Sequence, residues 1–212
     1  MKKSKRWLLF LIVLFPSLFW VILESSTINS RKLPYYGPKT FSGTDTSFYT
    51  VKEHLHPILT QINFPDNNSF VVMMVKKDYK KDSYRVGGLQ EYESYKKEKI
   101  AHIPILFICE SDSISKPVEA ELKFVFKEQE NLYYLSLQPD EYNKLSALMF
   151  KEKPYYIDYS FLALVDNNFY LRGYYDSRYV AEIKRMIGEY QHLRIKEEKE
   201  EIKNENAIKQ NS

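Results

Sequence analysis

Cysteine is almost missing from this sequence: Cys109 is the only one among 212 residues. One thiol cannot close an intramolecular disulfide, and it cannot run a dithiol–disulfide cycle, so a self-contained thiol oxidoreductase is excluded. Glycine is scarce as well, at six residues. No glycine-rich phosphate loop is present, and Gly87–Gly88 by itself is only a turn signal. There is no G-x-S-x-G motif and no His beside a Ser within a motif, which leaves no nucleophile constellation. Internal repeats are absent. The formal net charge is only +3, and the four cations Lys2, Lys3, Lys5 and Arg6 precede the first apolar run. The remainder is near neutral and lacks the electrostatic footprint of a nucleic-acid binder. Neither an enzymatic activity nor a nucleic-acid partner is expected.

Residues 7–23 carry no charge and are interrupted only by Pro16 and Ser17. As a helix they cover roughly 25 Å, against a hydrocarbon core of about 30 Å, and tilt or local thinning closes the gap. A cleavable signal peptide ends in small residues, whereas this run ends on Trp20, Val21, Ile22 and Leu23, so an uncleaved anchor is expected. The preceding cations hold that end in the cytoplasm. The organisation expected is a cytoplasmic basic end (1–6), a transmembrane anchor (7–23), a linker (24–43), one domain (44–193) and a charged tail, helical or disordered (194–212). The location implied is the cytoplasmic (inner) membrane, single-pass, with the C-terminal domain extracytoplasmic or periplasmic.

The domain reads as alternating strands and helices. Phe70 to Val75 and residues 103–109 are uninterrupted apolar runs of strand length, the signature of strands covered on both faces. Gly87–Gly88 opens a helix over 89–99, and Ser115 with Pro117 marks the start of another, with Val118, Leu122, Val125 and Phe126 as its inward stripe. A strand over 132–137 and a helix from Pro139 follow. Residues 161–165 and 169–175 flank Asp166, Asn167 and Asn168 as a hairpin. The last helix starts near Ser177 with Val180, Ile183, Ile187 and Tyr190 as its apolar face; that stripe fades after Leu193. The order β-α-β-α-β-α-β-β-α predicts an α/β fold with a thioredoxin-like mixed central sheet flanked by helices, preceded by one N-terminal transmembrane helix. Residues 40–64 fit either a helix over 55–62 or part of an N-terminal hairpin. The 18 Tyr and 13 Phe are explained by half-buried strands. The pairs Tyr35–Tyr36, Tyr133–Tyr134, Tyr155–Tyr156 and Tyr174–Tyr175 suit a partner surface or alternating strand faces equally.

Three stretches resemble the SCO (SenC) family, thioredoxin-fold proteins that deliver copper to cytochrome c oxidase: Leu33-Pro-Tyr-Tyr-Gly-Pro38 after the apolar run, the hairpin 161–176 with Asp166, Arg172, Gly173 and Asp176, and the closing helix 181–193. The family function rests on two Cys in a C-x-x-x-C loop after the first central strand and one His before the late hairpin. Soft thiolates select Cu(I), and imidazole helps to hold both copper oxidation states. In this sequence the loop 76–88 contains no Cys and is basic. Tyr159, in Asp158-Tyr159-Ser160, occupies the position of the ligand His. The resemblance therefore implies the family's scaffold and its oxidase-assembly setting without its metal site. No cofactor is expected, and a membrane-protein or oxidase-assembly partner is.

The remaining candidates are weak by composition. Cys109 ends a buried strand and reads as an inert structural thiol. His54 and His56 could share one face of a strand as a surface metal pair, but no third ligand stands nearby, and a solvated pair in a loop or amphipathic segment is the favoured reading. With Met73 and Met74 they are candidate substitute copper ligands, and the Met pair lies in a buried run. His102 and His192 are isolated. Asp166, Arg172 and Asp176 are explained by turn formation and an ion pair, buried or at the surface.

Overall fold

The computed structural model describes residues 33–42, 45–62, 64–65, 68–77, 84–111, 118–127, 129–151 and 161–210, all within the compact unit Leu33–Ser212. The elements are β1 (Lys39–Ser42), β2 (Asp45–Phe48), α1 (Lys52–Gln61), β3 (Phe70–Val75), α2 (Tyr84–Ile100), β4 (Ile105–Glu110), α3 (Val118–Phe126), β5 (Leu132–Leu137), α4 (Pro139–Met149), β6 (Phe161–Val165), β7 (Leu171–Asp176) and α5 (Val180–Gln210). From β3 onward the order is the predicted one. The region that suited either a helix or a hairpin contains both, the antiparallel pair β1–β2 and then α1. The apolar run 7–23 lies outside the described residues. Among those that are described, no helix is long and apolar enough to cross a membrane.

The central sheet has the strand order β5-β4-β3-β6-β7. β3, β4 and β5 run parallel, with Val71 opposite Ile105 and Ile105 opposite Leu132. β6 is antiparallel to β3, and β7 to β6. Because β3 is central, all six of its side chains are buried, and alternation sends them to two cores. Val71, Met73 and Val75 join Ile105, Phe107 and Cys109 under α2, α3 and α5. Phe70, Val72 and Met74 join Leu106 and Ile108 under α1 and α4. Each of these side chains contributes about 1.5–3 kcal/mol by leaving water, which is why the strand tolerates no polar residue.

Two contacts fix the helices that frame the carboxyl end of β3. The helix predicted to open at Gly87–Gly88 instead begins at Tyr84, and Gly88 lies inside its first turns. A Cβ there would stand 2.1 Å from the Ser177 carbonyl oxygen, so glycine is needed for close approach and not for a turn. The helical geometry of α2 is broken at Lys96 (φ −137°, ψ 47°). At the other side, α5 is tied to β7. The Tyr175 hydroxyl donates to Glu189 Oε2 at 2.5 Å, and Arg185 Nη2 donates to the Tyr174 carbonyl at 2.8 Å. Beyond Leu193, α5 carries Glu197 inward, 5% exposed. The carboxylate accepts from Ser69 Oγ at 2.5 Å and from the Asn167 N–H at 3.3 Å, and pairs with Arg194 at 3.0 Å.

Candidate functional site

The carboxyl end of β3 is where the parallel strands, the start of β6 and the N-terminal turns of α2 converge, and crevices at strand carboxyl ends are the usual binding place in open α/β sheets. Lys76 and Lys77 leave β3 there, and the Lys77 N–H donates to Glu110 Oε2 at 3.2 Å. Phe161 pairs with Asp176 across the hairpin. The Asp176 carboxylate accepts from the Arg178 backbone N–H at 3.0 Å and from Arg178 Nε at 2.8 Å, and it forms an ion pair with Arg178 Nη2. The Arg178 guanidinium stands 5.4 Å from the Tyr179 ring centroid, and Tyr179 is exposed. The rest of the loop (78–83) and the stretch holding Tyr159 (152–160) lie outside the described residues, as do Tyr155 and Tyr156.

None of the substitute ligands converges on this end. Cys109 pairs in register with Val75, one residue short of the end of β4, and is fully buried. Burial pushes its thiol up to about 12, Glu119 adds to the rise and Lys123 opposes it, so at neutral pH it presents no thiolate. Met73 and Met74 are buried in separate cores on opposite faces of the sheet, so their sulfurs cannot share an ion. His54 and His56 are exposed, but on helix α1 and not on a strand. Residues i and i+2 of a helix are about 200° apart around its axis, so the pair does not share a face, in keeping with a solvated pair on an amphipathic segment. His56 meets Phe169 edge-on at 5.9 Å. His102 is exposed, His192 is half-buried on α5, and the His102 carbonyl accepts from the Tyr190 hydroxyl at 3.2 Å. Among the described residues, no group of three or more His, Cys, Asp or Glu could hold a metal ion.

The late hairpin is built around a buried ion pair. Asp166 Oδ1 accepts from the N–H groups of Asn168 (3.0 Å) and Tyr170 (2.9 Å), closing the turn in which Phe169 adopts φ +64°. Its Oδ2 accepts from Arg172 Nη1 at 2.8 Å, with both side chains 6% exposed. The same guanidinium donates through Nη2 to the Leu33 carbonyl at 2.7 Å and through Nε to the Pro34 carbonyl at 3.2 Å. Its far face lies 4.0 Å from the Tyr35 ring. The Tyr36 N–H continues the attachment by donating to the Leu171 carbonyl at 2.9 Å. Of the two ion-pair alternatives, the structure selects the buried one. Tyr174 and Tyr175 are buried, while Tyr35, Tyr36, Tyr133 and Tyr134 are half-buried on and beside strands, as strand alternation requires.

A parallel β3-α2-β4 unit joined beside its first strand by the antiparallel hairpin β6–β7, and closed by α5, defines a thioredoxin-like domain. No protein-family model matches the chain, and no curated protein matches it. Solved structures to which it is similar include an SCO1/SenC family lipoprotein from Bacillus anthracis (12% identity, 78% of this chain and 98% of that one, TM-score 0.48). Others are apo Sco1 from Thermus thermophilus (11%, 79% and 99%, TM-score 0.44) and an exposed lipoprotein thioredoxin from Streptococcus pneumoniae (16%, 62% and 89%, TM-score 0.37).

Proposed function

We propose that this chain is a non-catalytic, membrane-anchored SCO-like protein that acts as a binding or assembly accessory on the outer face of the cytoplasmic membrane. The observation that carries this proposal is the loss of the ligand set with the scaffold kept. The loop 76–88 has no Cys and four Lys, the resemblance puts Tyr159 at the position of the ligand His, and Cys109, the Met pair and the His pair do not converge, which supports the reading. Two of the three stretches that resemble the SCO family, 33–38 and 161–176, are joined through Arg172, which supports reading them as one inherited unit. On this reading the chain acts through its surface, with a membrane protein or an oxidase-assembly component as partner, and meets the membrane itself through residues 7–23. Copper transfer by substitute ligands is the rival, and the separation of those ligands disfavours it.

The anchored topology is tested by proteolysis of the full chain in oriented membrane vesicles. Cleavage within 33–210 is expected only when the outer face is exposed to protease. Cleavage confined to inside-out vesicles would overturn the placement.

A further inference from the structure

A second concavity lies at the amino end of β3, at the opposite end of the sheet from the loop 76–83. It is a half-enclosed cleft of about 390 Å³, at the small end of the range for small-molecule sites. One wall is a single stripe of α1, Lys52, His56 and Thr60 at i, i+4 and i+8. The facing wall is the β6–β7 turn with Asn167 and Asn168, Asn68 closes one side, and Phe70 lies at the floor.

The chemistry of the lining is one-sided. It offers an ammonium, an imidazole and three amides, and no carboxylate among the described residues. Asn168 Nδ2 donates to Asn167 Oδ1 at 2.9 Å, which turns that oxygen toward its neighbour and fixes Asn167 Nδ2 as the donor end of the amide. The acids nearest the turn are already neutralised from within. Glu197 is held by Ser69, the Asn167 N–H and Arg194, and Asp166 is paired with Arg172. Lys52 forms no ion pair with any described residue. Among the described residues the cleft collects donors and a cation while the nearby acids face inward, an arrangement complementary to negative charge.

We propose that this cleft binds a small molecule bearing an oxyanion, a phosphate ester or a carboxylate, with Lys52 as charge partner and the Asn68 and Asn167 amides as donors. The site is separate from the oxidase-assembly role proposed above and does not depend on it. The probe is radiolabelled inorganic phosphate, dialysed to equilibrium against the full chain in uncharged detergent. Saturable binding at one site is expected, weakened at least about tenfold in Lys52→Glu and unchanged in Lys184→Glu on α5. Succinate as competitor separates the two sources: displacement assigns a general oxyanion site, and its absence a phosphate site. Lys52 stands in the first turn of α1, where a cation opposes the helix dipole, so Lys52→Glu is expected to melt no lower than the parent. Should it melt lower, Lys52→Gln decides, with weaker binding expected from loss of the charge alone. No saturable binding, or undiminished binding in Lys52→Glu or in Lys52→Gln, would overturn the site.

Discussion

Arg172 and Asp166 face each other at 2.8 Å with both side chains almost fully out of water, and the same guanidinium holds the Leu33 and Pro34 carbonyls. A buried pair adds little net stability, since desolvation cancels much of the attraction, but removing one partner leaves a charge stranded. Arg172→Met is therefore expected to cost about 3–5 kcal/mol. The double change Asp166→Asn with Arg172→Met should cost distinctly less. Denaturant unfolding of the four proteins of this cycle checks it, and near-additive losses would contradict the coupling.

Glu197 gives a prediction about the length of α5. Ending the chain after Leu193 deprives the buried Ser69 hydroxyl and the Asn167 N–H of their acceptor, at about 1–3 kcal/mol for each group left unpaired. Ending it after Glu200 leaves these bonds intact and should lower the melting temperature little. Thermal unfolding of the two truncations is the measurement.

Gly87 and Gly88 are adjacent and should respond oppositely. A Cβ on Gly87 meets nothing within 4 Å, whereas one on Gly88 collides with the Ser177 carbonyl at 2.1 Å. Gly87→Ala is expected to be neutral or stabilising by up to about 1 kcal/mol through lost unfolded-state entropy. Gly88→Ala must push α2 away from the 176–178 segment and should destabilise. Equal melting temperatures for the two would contradict the close approach.

The buried thiol sets a pH dependence. Cys109 is pushed up to about 12 by burial, so the folded state keeps its proton where the unfolded thiol loses it. The stability it contributes is complete below the unfolded value of about 8.5 and falls as pH rises above that, by about 1.4 kcal/mol per pH unit. Cys109→Ala should remove that part of the decline between pH 9 and 10, where the unfolded thiol is ionised and the folded one is not. In the parent, a thiol-reactive probe should label Cys109 only on unfolding.

Much of the fold is legible because burial on two faces writes an uninterrupted apolar run, as in Phe70–Val75 and residues 105–109. His54-Leu55-His56 misleads because three alternating residues are too few to separate a strand from a helix. The period that decides it is Val51, Leu55, Leu59, all buried, four residues apart. Glu197 continues the spacing of Ile183, Ile187, Tyr190 and Leu193, but a carboxylate in an apolar stripe reads as the place where the stripe ends. Gly88 serves a backbone contact nearly ninety residues downstream, and the Arg172 attachment ends on carbonyl oxygens. Neither leaves a side-chain signature in the partner. The missing ligand set is the reverse case, since an absent Cys is visible in the sequence without any structure.

Copper(I) titration of the full chain in detergent, against a chromogenic chelator that competes at submicromolar affinity, tests the central claim most directly. The chelator is expected to keep its copper at every protein concentration, with the same result for the His54→Ala, His56→Ala double variant. Stoichiometric transfer of copper to the protein would contradict the proposed metal-free role, and loss of that transfer in the double variant would assign it to the substitute ligands.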